Sequence, residues 1–423
     1  MIENLKKALY FPIASYFRFF AAMRLRKWKP QVIVVTGSNG KTTLLHMLEV
    51  QVGERAKVSH HANSAYGIPF DILDLHRETM QLSEWFTLFL KAPFQVGKSL
   101  PKEKIYIVEA DADRPGEGKF LAELLRPDVT LWVSTGRTHS VHFDTLVSVG
   151  KFTTVEEAIA YEYGYFLKQT NSLVVIDGDS ELEKGQVTRT KAAVKSITKK
   201  AFLTKFAVTT EGTMFEIEKQ KYIFQGLLPE EIYLSIAQCR AAVEFIGLPF
   251  DPNFNHFHLP PGRGSLFQGV KETLLIDSTY NGNLGSMRAM LAMFDAFPAK
   301  KKWVVLGDMK ELGKEAKEEH ETLAKILNEM DLERVMLVGA LLADYTLPLL
   351  KKEIISVAFR GAPDLTDYLR EHIQGKEAIL FKGSQSIYLE GLIEPLLKNK
   401  EDASQLPRQS TFWKKQRQRL GFN

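Results

Sequence analysis

Short, fully apolar runs recur along the chain, separated by stretches in which apolar residues return every three or four positions. VIVVTG (32–37), IYIVEA (105–110), VTLWVS (129–134) and SLVVIDGD (172–179) are the runs of the first half. TLLIDS (273–278), KWVVLGD (302–308), VMLVG (335–339) and AILFKG (378–383) follow in the second. Strands with no polar face must be covered on both sides, which is how parallel sheets flanked by helices are built. The pattern therefore predicts an α/β class. Residues 196–226 alternate instead and read as antiparallel hairpins at the edge of the first sheet. Near the start, Ile13, Tyr16, Phe17, Phe20 and Met23 recur at helical spacing beside Arg18, Arg24, Arg26 and Lys27, and Pro30 ends the run. This basic aromatic helix either lies on an anionic membrane surface or packs on the domain that follows.

Prolines and glycines cluster in PPGRGS (260–265), and a new strand begins at Thr273. The expected organisation is a helix over 1–30, a central domain over 31–262, a second domain over 263–402 and a loosely held basic tail over 403–423. A length of 423 residues suits about two or three domains. The single cysteine, Cys239, excludes an internal disulfide and any zinc site built on several thiolates, and it fits a reducing, cytoplasmic setting. The net charge of +4 hides an asymmetry. Residues 1–30 carry seven Lys/Arg against Glu3, and residues 408–423 carry five with no acid, so the body between them is net acidic. A broad nucleic-acid face would need a basic stripe on that body, and none is expected. The apolar stretch from Ala8 to Met23 is broken by Pro12 and Arg18 and falls short of a membrane span. It lacks the form of a secretory signal as well.

Candidate chemistry starts at TGSNGKTTLLH (36–46), which follows the apolar run 32–35 and opens a helical pattern. In that context the N–H groups of Gly37, Ser38, Asn39, Gly40 and the helix start face phosphates, Lys41 neutralises the outer ones, and the Thr42 hydroxyl can ligate Mg²⁺ beside Thr43. Two residues separate the glycines, where a Walker loop has four.

TGSNGKTT resembles the TGTNGKTT loop of the Mur ligase family, ATP-dependent amide-forming enzymes of peptidoglycan assembly and their relatives. Further stretches carry the resemblance in order: IVEADADRPGE (107–117), TGRTHSVHF (135–143), PPGRG (260–264), IDSTYNGNLGSM (276–287), VVLGDMKELGKEAKEEH (304–320) and FKGSQS (381–386). The last two are closest to the MurF branch. The resemblance implies a P-loop-type, mostly parallel central sheet domain followed by a smaller Rossmann-like α/β domain, with ATP and Mg²⁺ as cofactors. It makes Glu109 a Mg²⁺ ligand beside Thr42, and His139 a ligand of a second Mg²⁺. Asp277 would hold the ribose, Arg263 would reach the phosphates, and Asn281 would lie near the nucleotide. Lys382 and Ser384 would dock the carboxylate of the amine component, and Asn63, with Tyr66-Gly67-Ile68-Pro69, would touch the acceptor. Read without the family, Glu109 could cap a helix, His139 could be structural and Arg263 could be a surface side chain.

Three departures shape the expectation. Most of the family carries a lysine, modified to a carbamate, shortly after the His139 position; here Glu162 in EEAIAYEYGYFL stands at its place, with Lys151 and Lys168 as alternatives. Enzymes of the MurF branch also have an N-terminal domain that grips the uridine diphosphate of the acceptor, whereas here only the basic aromatic helix precedes the loop. Asp111 and Asp113 stand where the family has smaller residues and read as solvated, while Ser278, Leu284 and Gln385 replace Asp, Pro and Arg. The expected function is an ATP-dependent ligase that activates a carboxylate as an acyl phosphate and joins an amino acid or dipeptide to a UDP-linked, lipid-linked or differently tagged cell-wall precursor. Catalysis would rest on Lys41, His139, Glu162 and Arg263, with membrane contact through residues 1–29 and no obligate protein partner. The rivals are a ligase for another polymer or cofactor and a non-catalytic ATP-binding homologue.

Overall fold

The apolar runs become the strands of two parallel-rich sheets. The computed structural model describes residues 2–60, 62–77, 82–138 and 140–422, and the side chains of 2–7 and 82–83 lie outside that description. Contacts divide the chain into two units, residues 1–202 with 234–254, and residues 203–233 with 255–423.

In the first unit the strands are β1 (Gln31–Thr36), β2 (Ala56–Ser59), β3 (Ile105–Ala110), β4 (Val129–Trp132), β5 (Leu173–Asp177) and β6 (Ala193–Ile197). They run parallel in the order β2-β3-β1-β4-β5-β6. The central strands β1 and β4 are buried almost throughout, as runs with no polar face require. Helix α1 (Ile2–Trp28) sets Ala14, Phe17, Ala21, Leu25 and Trp28 into the same core. Phe17 meets Phe70 on α3 (Gly67–Leu73) edge to face, and Phe89 on α4 (Leu82–Gln95). The basic residues of α1 are partly consumed by this packing. Buried Arg24 donates to the carbonyls of Gln95 and Ser99, Arg18 pairs with Glu123 at 3.1 Å, and the Trp28 indole donates to Glu103 O at 2.7 Å. Of the two readings of this helix, its inner face takes the packing one. Among the described residues no helix is long and apolar enough to cross a membrane.

The second unit holds β7 (Leu203–Val208), β8 (Thr213–Ile217) and β9 (Gln220–Phe224) as an antiparallel sheet of their own. This corrects the expectation that the hairpins edge the first sheet, because β6 occupies that edge in parallel register. Alternation implies one face to cover. Here Phe215, Ile217, Tyr222 and Phe224 are buried, and Leu227 just beyond joins the core of the second unit. That unit's main sheet contains β10 (Ser265–Gln268), β11 (Leu274–Ser278), β12 (Lys302–Gly307), β13 (Arg334–Val338), β14 (Ile355–Phe359) and β15 (Ala378–Lys382). Their order is β10-β11-β15-β12-β13-β14, with only the β10–β11 pair antiparallel. Successive residues feed opposite cores. Ile276, Val304, Leu306, Val335, Leu337 and Leu380 enter one, and Leu275, Trp303, Val305, Met336, Ile379 and Phe381 the other.

The C-terminal segment is not loosely held. Helix Thr411–Arg419 buries Arg417, and Leu406 and Phe422 close on the second core. By contacts, residues 1–30 join the first unit, and 255–262 and 403–423 the second.

Candidate functional site

β1 ends in Thr36, whose hydroxyl donates to Ala110 O across the sheet at 2.8 Å. The chain then turns sharply. Gly37 has φ 126°, and a Cβ there would lie 2.7 Å from Ser134 O, so the loop can follow this course only with glycine. Ser38 N donates to Ser134 O at 2.9 Å, and Asn39 N to Ser134 Oγ at 2.8 Å. Ser38 Oγ donates to Gly136 O at 2.8 Å and accepts Gly136 N at 2.9 Å. The loop is thus riveted to the segment after β4. Helix α2 (Lys41–Val52) begins behind Gly40 (φ 87°), which offers no side-chain cap, and no acid occupies its first turn. A helix leaves its first N–H groups without intrahelical acceptors, so this N-terminus is disposed toward an anion.

Lys41 is buried at 6% exposure, with its ammonium 2.5 Å from Gly37 O and 2.8 Å from Asp111 Oδ2. Burial alone would lower its pKa, but Asp111 and Glu109, with Asp113 adding, reverse the sign and raise it. The lysine therefore stays charged. Asp111 is correspondingly not solvated: Oδ1 accepts the Tyr163 hydroxyl and Ala112 N, each at 2.9 Å, and its own N–H donates to Asn63 O at 2.8 Å. Thr42 Oγ1 stands 2.9 Å from Glu109 Oε2, and Thr43 is buried behind it. A hydroxyl and a carboxylate side by side are hard oxygen donors of the kind Mg²⁺ takes. The structure thus brings Gly37, Ser38, Asn39, Gly40, Lys41, Thr42, Asn63 and Glu109 to one corner of the first unit.

His139 lies outside the described residues. Glu162 is differently employed from the metal-holding carboxylate expected of it: Oε1 accepts Gly116 N at 2.9 Å and Oε2 accepts Gly118 N at 3.1 Å. It caps α5 (Glu117–Leu125) from the neighbouring helix Val155–Gln169. Burial raises its pKa, and these amides hold the rise back. Lys151 and Lys168 are exposed. Glu162→Gln must turn an amide NH₂ toward one of two main-chain donors, so a loss of about 1–3 kcal/mol of stability is expected. Urea unfolding checks it, and an unchanged midpoint would contradict the capping role.

The second unit holds the other predicted residues. β11 and β15 pair in parallel register, setting Asp277 opposite Phe381 and Ser278 opposite Lys382. Asp277 is fully buried. Its Oδ1 accepts Thr279 N at 3.0 Å and the Thr279 hydroxyl at 2.7 Å, while buried Oδ2 has no hydrogen-bond partner. An orphaned acceptor of this kind suits a ligand hydroxyl. Burial pushes the Asp277 carboxyl up to about 6 against the pull of Thr279. Lys382 Nζ donates to Asn281 O at 2.9 Å, and burial, with Arg263 adding, drives it down to about 7 although Asp277 pulls it up. Arg263 lies over the Tyr280 ring at 4.5 Å, Asn281 Oδ1 accepts Gly282 N, and Ser384 Oγ reaches Gly282 O at 3.3 Å.

Lys382 makes a stability prediction. Its pKa falls on folding from 10.5 to about 7, so its share of stability is whole above about 10.5 and is lost as pH falls toward about 7. Relative to Lys382→Met, the wild type should gain stability between pH about 7 and about 9. Parallel pH profiles of the two urea midpoints would contradict this.

Sequence reasoning missed several residues. Glu117 joins Ala65 N (2.7 Å) to the Tyr10 hydroxyl (2.9 Å), fixing the segment after Asn63. His320, at the end of the 304–320 motif, is fully buried and accepts Met309 N through Nε2 at 3.3 Å, so it props the turn after β12. Buried Asp308 accepts Leu342 N at 2.9 Å, and Arg408 donates to Thr279 O at 3.2 Å beside Asp277. His320 and Asp308 lie inside the 304–320 motif, which is the signal that could have found them. Nothing flagged Arg408.

A glycine-rich loop between β1 and an uncapped helix, with a charged lysine and an oxygen pair beside it, defines a phosphate-loop α/β protein, here joined to a Rossmann-like unit. Residues 262–385 match the family described as Mur ligase, glutamate ligase domain. The UDP-N-acetylmuramoyl-tripeptide--D-alanyl-D-alanine ligase of Bacillus subtilis is 24% identical over 386 residues, covering 89% of this chain and 78% of that protein. The Escherichia coli protein of the same name is 25% identical over 388 residues, covering 87% and 77%. The crystal structure of MurF ligase from Thermotoga maritima in complex with ADP superposes with a TM-score of 0.73 at 23% identity, over 90% of this chain and 82% of that one, which speaks for the fold. Over most of its length the chain is thus similar to Mur ligases, and its residues 262–385 carry that family's C-terminal domain signature.

Proposed function

We propose that this chain is an ATP-dependent carboxylate–amine ligase that adds an amino acid or dipeptide, D-alanyl-D-alanine by its relatives, to a peptidoglycan precursor. The observation that carries the reading is the corner where buried Lys41, the uncapped α2 N-terminus and the Thr42–Glu109 oxygen pair converge. A carboxylate resists amines because its leaving group would be oxide. Transfer of the γ-phosphoryl group of ATP makes an acyl phosphate, and the amine then displaces phosphate. Thr42 and Glu109 would hold Mg²⁺, which when bound offsets phosphate charge. Lys41 supplies a fixed positive charge in a dry setting, where it counts for more than in water. Asp277 offers Oδ2 to a ribose hydroxyl, Arg263 is assigned to the phosphates, and Asn281 to their vicinity. Lys382 and Ser384 are assigned to the carboxylate of the amine component, Asn63 to the acceptor, and His139 to a second Mg²⁺. Incubation with ATP, Mg²⁺, a UDP-muramoyl tripeptide and D-Ala-D-Ala should release phosphate only when all are present. ATP binding without phosphate release across a panel of acceptors and amines would sink the reading. It would favour a nucleotide-binding homologue without turnover, to which the Lys41–Asp111 pair lends its one support, because phosphate must compete with Asp111 for the lysine.

A peripheral membrane location is inferred from a different surface. On α4, Phe86, Leu90 and Phe94 are 70%, 54% and 75% exposed at successive turns, and Phe19 on α1 is 60% exposed. Exposed Lys91, Lys98, Arg26 and Lys27 accompany them. An apolar stripe with cations suits anionic lipid. Replacing Phe86, Leu90 and Phe94 by Ser should reduce co-sedimentation with phosphatidylglycerol vesicles at least tenfold, and equal pelleting would refute the contact.

A further inference from the structure

Behind the phosphate loop, α2 carries a second group of ligating side chains that the ligase reading does not use. His46 and Glu49 sit one turn apart on α2 and share a face. His60 follows β2, whose last residue, Ser59, pairs with Val108, so His60 arrives at the same end of the sheet as Glu109. The three side chains meet there. His60 Nε2 lies 2.8 Å from Glu49 Oε1, His46 Nδ1 lies 3.3 Å from Glu49 Oε2, and the imidazole rings are 5.0 Å apart at 33°. One ligand atom from each residue lies within 4.8 Å of the others.

We propose that His46, Glu49 and His60 bind a divalent transition-metal ion of the zinc class. Bonds of about 2.1 Å at tetrahedral angles hold ligand atoms about 3.4 Å apart, which small side-chain rotations supply here. Two imidazoles and one carboxylate select zinc, cobalt, nickel or ferrous iron over Mg²⁺ and Ca²⁺, which take oxygen ligands. The neighbouring Thr42–Glu109 pair is all oxygen, so two sites of different hardness lie about one helical turn apart. Side-chain exposures of 29%, 39% and 30% for His46, Glu49 and His60 leave room for water or a further ligand at the open positions. Two imidazoles converge on one carboxylate, and a metal would engage all three groups at once.

Bound metal would staple the end of β2 to α2. The other end of the connecting segment is already tied, through Asp111 N to Asn63 O at 2.8 Å and Ala65 N to Glu117 at 2.7 Å. The site is therefore a structural clip on the segment beside the Lys41–Asp111 pair, and it stands whether or not the chain is a ligase.

The test uses the full chain, stripped with a chelator and dialysed against Zn²⁺ in excess Mg²⁺ without nucleotide. Wild type should retain about one equivalent more zinc than His46→Ala/His60→Ala, show a Co²⁺ ligand-field spectrum that the variant lacks, and gain thermal stability with Zn²⁺. Equal zinc content and equal thermal shifts in the two proteins would overturn the site. Should the double variant not fold, Glu49→Gln and His60→Gln singly carry the same comparison, each expected to lower zinc affinity at least tenfold, and unchanged affinity in both refutes the proposal.

Discussion

Lys41→Met is expected to reduce phosphate release by about 10²–10³, the range seen when one preorganised group facing developing charge is lost. The same substitution strands the buried Asp111 carboxylate, which pairs with Lys41 at 2.8 Å and is itself 8% exposed in its side chain. Breaking a buried pair by removing one partner costs about 3–5 kcal/mol. A bare loss of activity would therefore leave chemistry and folding entangled, and the double variant Lys41→Met/Asp111→Asn separates them. It should regain most of the lost stability, because the introduced amide oxygen keeps the Tyr163 and Ala112 contacts that Asp111 Oδ1 makes, without an unpaired charge. Turnover should not return. Asp111→Asn alone should tighten nucleotide binding, since phosphate no longer displaces a carboxylate from the lysine. Equilibrium binding of a non-hydrolysable ATP analogue, urea unfolding and phosphate release together read all three variants. Recovery of turnover in the double variant would show that Lys41 acts through the fold.

The Lys41–Asp111 pair also shows where sequence reading stopped. The strand before the loop, the GKT and the amphipathic run after it are local signals, and they were legible because four-to-twelve-residue patterns decide them. That Asp111 faces Lys41 follows from the β1–β3 register, which sets Thr36 opposite Ala110 and hence the two turns side by side. No local pattern encodes that register. By the same logic the alternation over 196–226 announces antiparallel strands, found at 203–224, but not their sheet, because membership depends on which core covers the buried face. Glu162 stands at the family's lysine position in sequence, whereas its environment, two glycine amides at the start of α5, belongs to a helix packed across from it. In the second unit, Asp277 and Lys382 sit on the adjacent strands β11 and β15 of one parallel pair, so the pull of Asp277 on the proton affinity of Lys382 is again a property of register.

The C-terminal segment gives the largest stability effect expected away from the phosphate loop. The sequence reads there as a loosely held basic tail, yet Glu390 draws its arginines inside. Arg408 meets Glu390 with two bonds, Nε to Oε1 at 2.8 Å and a second nitrogen to Oε2 at 2.6 Å, and Arg417 adds a third at 3.2 Å. The Glu390 side chain is 0% exposed, and those of Arg408 and Arg417 are 6% and 4% exposed. Glu390→Ala leaves two guanidinium groups buried with no carboxylate between them; Glu394, 3.3 Å from Arg417, compensates only one. A loss of about 3–5 kcal/mol in the second unit follows. Because Arg408 also holds Thr279 O beside Asp277, nucleotide affinity should weaken with it. The converse is as informative, since apolar residues of similar volume commonly replace a whole buried ionic cluster at little cost. Glu390→Met combined with Arg408→Met and Arg417→Met should therefore recover most of the stability but not the Thr279 contact. Urea unfolding of the three proteins decides the matter: a Glu390→Ala midpoint equal to wild type would mean that water reaches these charges and that the segment is held by Leu406 and Phe422 alone.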